Sequence, residues 1–409
     1  MKTAVNLFVA RQPILDAEKR TVGYELLFRA GDQNTFSERD PDLATGRVVH
    51  DTLLEFGLNS LVGARKAYIN ITRQTLLDEL YAMLPREQVV IELLETVSPT
   101  PDIIDACKKL KKNGYSLALD DFTYHPDFEP LLAIADIVKV DILATPAAER
   151  AALVKRLAPF QVRLLAEKVE TSEIFRETLD LGYELFQGYF FQRPELVARS
   201  GIPRFKINYL RFLESVNREE MNFLELERVI KREVSLSIKL LRYLNSAASG
   251  LRQEVTSIKH ALVLLGERSL RKWASVVALV DMGEERPAEL VITGLSRARF
   301  CEIMGKHAGY ADRELSLFMM GILSVGEALL GHSLDEIMKE ISVAPDVRDA
   351  LLGADTPLGR LLKLAIAYER GDWEEVSARL EEFAGARDDV AWAYRDAVKW
   401  ANDSFSLPM

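Results

Sequence analysis

Up to about residue 200 the chain alternates short apolar, β-branched runs with stretches of helical period. The runs are Leu7–Ala10, Val22–Phe28, Ala67–Thr72, Val89–Leu94, Ser116–Asp120, Ile137–Asp141, Arg163–Glu167 and Glu184–Gly188. Between them, Asp102–Asn113 and Ala147–Leu157 read as helices, the first closed by Gly114. Strand–helix alternation predicts parallel strands joined by crossover helices. Eight strand signals in this length fit a (β/α)8 barrel better than an open doubly wound sheet, with some helices abbreviated. No glycine-rich dinucleotide fingerprint follows any of the runs.

Beyond residue 200 the strand texture stops. Phe223–Val234, Ser235–Leu244, Val255–Leu265, Ser269–Val280, Leu295–Ala308, Arg313–Leu329, Pro357–Glu369, Trp373–Phe383 and Asp389–Ala401 read as helices. Ser333 with Glu336, and Asp372 with Glu375, have capping-box spacing, and Gly371 is placed to close the helix before it. Pro194, Gly201 and Pro203 interrupt both textures, so the boundary is set at Arg193–Pro203. The predicted architecture is an α/β barrel over 1–200 followed by an all-helical domain over 201–409.

Composition narrows the class. The chain has 409 residues, 48% apolar and 28% charged, which is globular and sufficient for two domains. A net charge of −10 argues against general nucleic-acid binding, which needs a basic surface. No apolar run approaches the ~18–20 residues of a membrane span. The N-terminal apolar stretch meets Arg11 and Asp16 with no cleavage pattern, so no signal peptide is read. Cys107 and Cys301 lie far apart and support neither a disulfide framework nor a Cys-rich metal site. The expectation is a soluble, cytoplasmic protein.

Polar and ionisable residues recur where the strand runs end: Glu25, Asn70, Glu92, Asp120, Asp121, Lys139, Glu167 and Gln187. In a barrel those ends share the face on which sites are built. Taken singly, Asp121 reads as a helix N-cap, Asn70 as a turn residue and Glu92 or Glu167 as a rim carboxylate. Lys139 is different, because an ammonium within an apolar strand needs anionic partners. Together, several carboxylates aimed at one mouth repel unless cations bind there. Oxygen donors of this type suit Mg²⁺ or Mn²⁺, and two such ions about 3.5–4 Å apart are the recurrent arrangement for phosphodiester hydrolysis.

The same residues carry a family resemblance. Gln12-Pro13-Ile14, Glu25-Leu26-Leu27-Phe28-Arg29, Asn70-Ile71-Thr72, Glu92-Leu93-Leu94-Glu95, Asp120-Asp121-Phe122, Lys139-Val140-Asp141, Glu167-Lys168-Val169-Glu170 and Gln187-Gly188-Tyr189 stand in the order of the EAL-domain cyclic di-GMP phosphodiesterases. The resemblance covers nearly all of residues 6–194. It implies that Glu25, Asn70, Glu92 and Asp120 hold one metal, that Asp120 bridges to a second, and that Asp121 and Glu167 lie beside it. It further implies that Lys139 orients the attacking water and Gln187 positions the metal–water assembly. Arg29 and Gln12 would contact substrate, Glu170 would brace the loop after Asp121, and the product would be linear pGpG. Three positions depart from the family pattern: Leu26 replaces an alanine, Lys168 a glycine, and Phe122-Thr123-Tyr124-His125-Pro126 a glycine-rich loop. His125 reads as a loop histidine before Pro126.

In the second half, Leu240-Leu241-Arg242-Tyr243-Leu244-Asn245-Ser246-Ala247 and Ser257-Ile258-Lys259-His260-Ala261-Leu262-Val263-Leu264-Leu265-Gly266 resemble the HDOD domain, a helical relative of HD phosphohydrolases without their metal site. Where a catalytic relative carries adjacent His and Asp, this chain reads Gly321-Ile322-Leu323-Ser324-Val325-Gly326. His260, His307 and His332 show no ligand spacing, and Arg268, Arg271 and Lys272 read as a solvated face or a site for an acidic partner. The expectation is a cyclic di-GMP phosphodiesterase with a non-catalytic regulatory or protein-binding helical domain, its protein partner unspecified and a homodimer open. The alternatives are a weakly active or inactive cyclic di-GMP receptor and interaction hub, and a bare scaffold.

Overall fold

The computed structural model describes residues 7–30, 57–192, 202–218, 220–245, 255–383, 387 and 389–406. Eight strands, β1 (Leu7–Asp16), β2 (Thr21–Ala30), β3 (Lys66–Ile71), β4 (Val89–Leu93), β5 (Ser116–Leu119), β6 (Ile137–Asp141), β7 (Arg163–Glu167) and β8 (Leu185–Gln187), close into a barrel in sequence order. Each matches one of the runs read from the sequence. Crossovers include Pro101–Lys112, Ala147–Leu157 and Ser172–Asp180, with short ones at Arg73–Leu77 and Glu129–Leu132.

One strand breaks the expected pattern. β1 runs antiparallel to both β2 and β8, with Gln12 opposite Glu25 and Ile14 opposite Gln187. Only Ala17–Arg20 separates β1 from β2, too few residues for a crossover helix, so the pair is a hairpin. Arg20 N–H and its guanidinium both donate to Asp16 there, and Lys19 turns the chain at φ 60°.

The chain divides into two compact units. One takes in Met1–Arg193 together with Ile366–Ala391; the other takes in Pro194–Ala365 and Trp392–Met409. In the second, Arg204–Val216, Phe223–Arg232, Val234–Leu244, Ile258–Met282, Ala288–His307 and Glu314–Leu323 are the main helices. Arg204–Val216 and Pro345–Leu351 are helices that the sequence reading passed over, and Leu334–Glu340 is the helix whose start was marked only by the capping box at Ser333. Two helices expected on either side of Gly266 form one span broken at that glycine (φ 67°, ψ 168°). Ser333 and Glu336 make the full reciprocal capping box, and Asp372 accepts from Glu375 N–H at 3.2 Å. The boundary expected at Arg193–Pro203 lies mostly outside the described residues. Among the described residues no helix is long and apolar enough to cross a membrane.

At the end of β8 the chain makes its closest backbone approach. Val169 N–H donates to the Gln187 carbonyl at 2.9 Å, and Phe190 N–H donates to the Val169 carbonyl at 3.1 Å. Gly188 between them has φ 149°, and a Cβ there would run into the Val169 backbone. Only glycine meets both demands. Gly188→Ala is expected to lower the melting temperature of the barrel steeply, whereas Gly182→Ala, with left-handed backbone but open space, costs about 1 kcal/mol. Equal shifts in thermal unfolding would contradict this.

Candidate active site at the barrel mouth

The site follows from strand periodicity. Ile14, Tyr68, Val90, Ala118, Ile137, Leu165 and Leu185 form one apolar cluster inside the barrel. Because successive side chains alternate in direction, residues two positions away point the same way. Two residues beyond these core positions, toward the C-terminal ends of β3–β8, stand Asn70, Glu92, Asp120, Lys139, Glu167 and Gln187. On antiparallel β1 the same step runs backwards, from Ile14 to Gln12. Glu25 completes the ring from β2, two residues after Gly23, whose missing side chain leaves room for the Tyr68 ring. An apolar layer thus supports a polar layer at the face where barrel sites are built.

Lys139 organises that layer. Its Nζ is fully buried and lies 2.7 Å from Asp120, 2.8 Å from Glu92, 3.0 Å from Glu167 and 3.4 Å from Glu25. Asn70 Nδ2 donates to Glu25 Oε1 at 2.8 Å, and Gln187 Nε2 donates to Glu25 Oε2 at 2.6 Å. Gln187 Nε2 also reaches Gln12 Oε1 at 2.9 Å. Besides Glu92 Oε1 and Asp120 Oδ1, which face the Lys139 ammonium, four buried oxygens in the ring have no hydrogen-bond partner: Asn70 Oδ1, Glu92 Oε2, Glu167 Oε2 and Gln187 Oε1. The carboxylates converge on the ammonium. Among the described residues, no three acidic, imidazole or thiol side chains are gathered about a common point as ligands around an ion.

One ammonium does not neutralise four carboxylates. Burial would lower the Lys139 pKa, but the four neighbours hold it well above its ordinary value. Burial also tends to raise Glu25, yet Lys139, Gln187 and Asn70 outweigh it and keep that carboxyl below its usual range. At Glu92 burial prevails over Lys139, with Glu25 and Asp120 repelling, and the pKa stands well above the ordinary value. Asp120 is raised for the same reasons, and Glu167 is pushed up to about 8 by burial, Asp120 and Glu25 against Lys139.

The remaining expected residues are placed as follows. Arg29 lies four residues past Glu25 on β2, on the same strand face and half-buried. Asp121 is exposed at φ 39° and is not among the partners of Lys139, while Phe122 N–H ties the turn to the Lys139 carbonyl at 2.9 Å. Glu170 follows the buried Val169 just before Thr171, which caps the next helix. The loop after Asp121 is packed rather than glycine-loose. Phe122 is buried edge-on to Phe128, Tyr124 O–H donates to Glu129 at 2.8 Å, and His125 Nδ1 accepts from Asp127 N–H. Lys168, where the family pattern has glycine, holds φ 56° and pairs with Asp141. That pair raises its pKa against burial, with Asp121 adding to the effect. Asp141 and Tyr189 close two of the motifs quoted from the sequence, Lys139-Val140-Asp141 and Gln187-Gly188-Tyr189, but were given no role there.

In the helical unit, the positions that stand where a catalytic relative has His and Asp are packing positions. A Cβ on Gly321 would collide with the Ala298 backbone, and Ser324 Oγ donates to the Gly321 carbonyl at 2.6 Å. The basic cluster is met from within. Wholly buried Glu302 lies 2.8 Å from Lys272 and 3.8 Å from Arg268, and Arg271 donates to the Val216 and Arg218 carbonyls. His332 Nδ1 lies 3.2 Å from Glu336, and His260 is exposed.

An eight-stranded barrel with an acidic mouth, followed by a helical domain, defines a two-domain class. Residues 51–194 match the EAL domain family and residues 202–353 match the HDOD domain family. The chain belongs to the EAL–HDOD family. It is 36% identical over 404 residues to the cyclic di-GMP phosphodiesterase CdgJ of Vibrio cholerae, covering 98% of this chain and 94% of that one. It is 31% identical over 407 residues to the uncharacterized protein YuxH of Bacillus subtilis, covering 98% and 99%. Among solved structures it is similar to Klebsiella pneumoniae BlrP1 in a calcium/cy-diGMP complex, at 26% identity and TM-score 0.39, over 46% of this chain and 55% of that one.

Lys139 is the test of this electrostatic account. Lys139→Met in the metal-free protein leaves buried carboxylates uncompensated and is expected to cost about 3–5 kcal/mol. The pH dependence has a definite sign. Glu167 has a folded pKa of about 8, above its ordinary 4.5, so its contribution is complete below about 4.5 and is lost as pH rises toward 8. Metal-free protein should therefore melt at progressively lower temperature from pH 5 to pH 8. A flat or rising profile would remove the under-compensated cluster.

Proposed function

We propose that this chain is a cyclic di-GMP phosphodiesterase that opens the ring of its substrate to linear pGpG, using two divalent ions, Mg²⁺ or Mn²⁺. The observation that carries this reading is the layer of Glu25, Asn70, Glu92, Asp120, Glu167 and Gln187 around one buried ammonium at the mouth of a closed barrel. The similarity to the Vibrio enzyme along nearly the whole chain supports it.

The donors fit hard divalent cations. Four buried oxygens without partners, on carboxylates and amides, are the ligand type such ions take. Glu25, Asn70, Glu92 and Asp120 would hold one ion, and Asp120, Asp121 and Glu167 would serve the second. Bound there, the ions would stabilise charge on the phosphoryl group and lower the pKa of water. The chain's own residues do the rest. Lys139 keeps four carboxylates together that would otherwise repel, and an N–H released when the ions take up carboxylate oxygens would orient a water. Gln187 fixes Glu25 through Oε2, and Arg29 and Gln12 would contact the substrate. The water oxygen forms a new P–O bond as the P–O3′ bond breaks, leaving a 5′-phosphate and a 3′-hydroxyl.

The helical unit is assigned a non-catalytic, regulatory or protein-binding role, in a protein that works in the cytoplasm and can pair with a second copy. The packing positions at Gly321 and Ser324 support the first part. One observation favours a second reading. Lys168 pairs with Asp141 and interacts electrostatically with Asp121, so its charge would compete with the second ion. That reading is a receptor that binds cyclic di-GMP without turning it over.

Chromatography of pGpG from cyclic di-GMP with Mg²⁺ or Mn²⁺, beside calorimetric binding, separates the two. Turnover is expected, falling more than about 100-fold in Glu25→Ala and Glu92→Ala. Lys168→Gly is expected to raise it. Binding without turnover under either ion establishes the receptor, and neither binding nor turnover removes both.

A further inference from the structure

The barrel unit contains a segment that neither domain family covers. The matches end at residue 353, yet Ile366–Ala391 clusters with the barrel. Its turn, between the helices Pro357–Arg370 and Trp373–Leu380, is anchored by apolar contact. Phe8 of β1 is buried with its ring 6.5 Å from Tyr368 and 6.1 Å from Trp373, and those two rings meet edge-on at 5.4 Å. Gly371 closes the first helix at φ 67°, and a Cβ there would lie 2.6 Å from Leu27 Cδ1 of β2. The turn therefore sits directly on the hairpin that carries Gln12 and Glu25.

From that seat it reaches the polar ring. Gln12 Nε2 donates to the Arg370 carbonyl at 3.0 Å, and the Arg370 guanidinium lies over the Tyr189 ring at 5.2 Å. Tyr189 O–H is in turn 3.4 Å from Gln12 Nε2. With its N–H fixed outward, Gln12 offers Oε1 inward to Gln187 Nε2, which also donates to Glu25 Oε2. Gln187 Oε1 is thereby left as the buried atom facing no partner.

We propose that the turn at Arg370–Gly371 is a positioning element of the barrel's reaction: through Gln12 it sets which end of the Gln187 amide faces the ion site and which holds Glu25. The inference rests on the phosphodiesterase reading and names a segment of the chain that the reaction requires. An amide has one donor end and one acceptor end, so a fixed acceptor at one end of a two-amide chain determines the orientation of the other. Residues in this relation to metal ligands change ion affinity or activity by about 10–100-fold.

The test uses the full chain. Gly371→Val forces a β-branched side chain into left-handed backbone and into Leu27, dislodging the turn. Gly353→Val carries the same backbone strain in open space and serves as the control. Expected for Gly371→Val is Mn²⁺ binding, read by calorimetry without nucleotide, about tenfold weaker. Its kcat should fall in step with KM nearly constant, and amide exchange over residues 185–190 should quicken. Gly353→Val should change none of these. Should Gly371→Val not fold, Arg370→Ala is expected to show the same pattern in weaker form, with Arg370→Lys restoring it through the cation over Tyr189. Unchanged Mn²⁺ affinity, kcat and exchange in the folded variants would overturn the inference. A wild-type protein without Mn²⁺ binding or turnover would instead sink the phosphodiesterase reading, and the exchange measurement would still judge the contact.

Discussion

The barrel mouth depends on one buried ammonium. Lys139 lies within 3.4 Å of four carboxylates, and without it the interior would hold Glu25, Glu92, Asp120 and Glu167 with no cation among them. An arrangement like this is not selected for stability. Apolar side chains of similar volume would cost less than a desolvated charge cluster. Nor is it balanced, since a single positive charge leaves burial free to raise Glu92 and Glu167. The imbalance is the useful property: the interior is left short of positive charge at the one place where a divalent ion and an anionic substrate would meet.

The barrel can carry that imbalance because stability and chemistry are separated by a single strand step. Ile14, Tyr68, Val90, Ala118, Ile137, Leu165 and Leu185 fill one layer, and the polar ring stands two residues away. Each polar side chain is thus held by a strand whose next inward residue is locked in packed core. Gly23 and Gly188 mark where this economy becomes tightest. The first makes room for the Tyr68 ring, and the second brings the β7 loop onto β8 so that Glu167 and Gln187 are held side by side.

Much of this was legible in the sequence, for physical reasons. β-branched runs at barrel spacing located all eight strands, and the residues at their ends were read as one site because parallel strands share a face. The direction of β1 was not read, although the four residues between Asp16 and Thr21 forbid a crossover and contain the answer. The gathering on Lys139 was half legible: a lysine in an apolar strand demands anions, but only the closed barrel says which ones. Lys168 shows the opposite limit. Its replacement of glycine was visible, while its left-handed φ of 56° and its pairing with Asp141 needed coordinates. In the helical unit, Arg268 and Lys272 were taken as a surface feature, because helical periodicity does not reveal that Glu302 comes to meet them.

Least legible was the seat of residues 366–391. Amphipathic period shows which face of a helix is apolar and nothing about what covers it, so Gly371 was read only as a helix stop. In the structure the same glycine is a contact: its lack of a side chain lets the turn settle on Leu27 and bring a carbonyl to Gln12. The link this makes is of a different kind from the ion pairs around Lys139. Those act through charge and reach in every direction, whereas the Arg370–Gln12–Gln187–Glu25 chain acts through donor and acceptor order. Charge sets how strongly the mouth attracts a cation; amide order sets which oxygens it presents. Phe8, Tyr368 and Trp373 hold that order in place by apolar packing that takes no part in the chemistry. A segment outside both recognised domains can therefore govern the site without contributing one ligand to it.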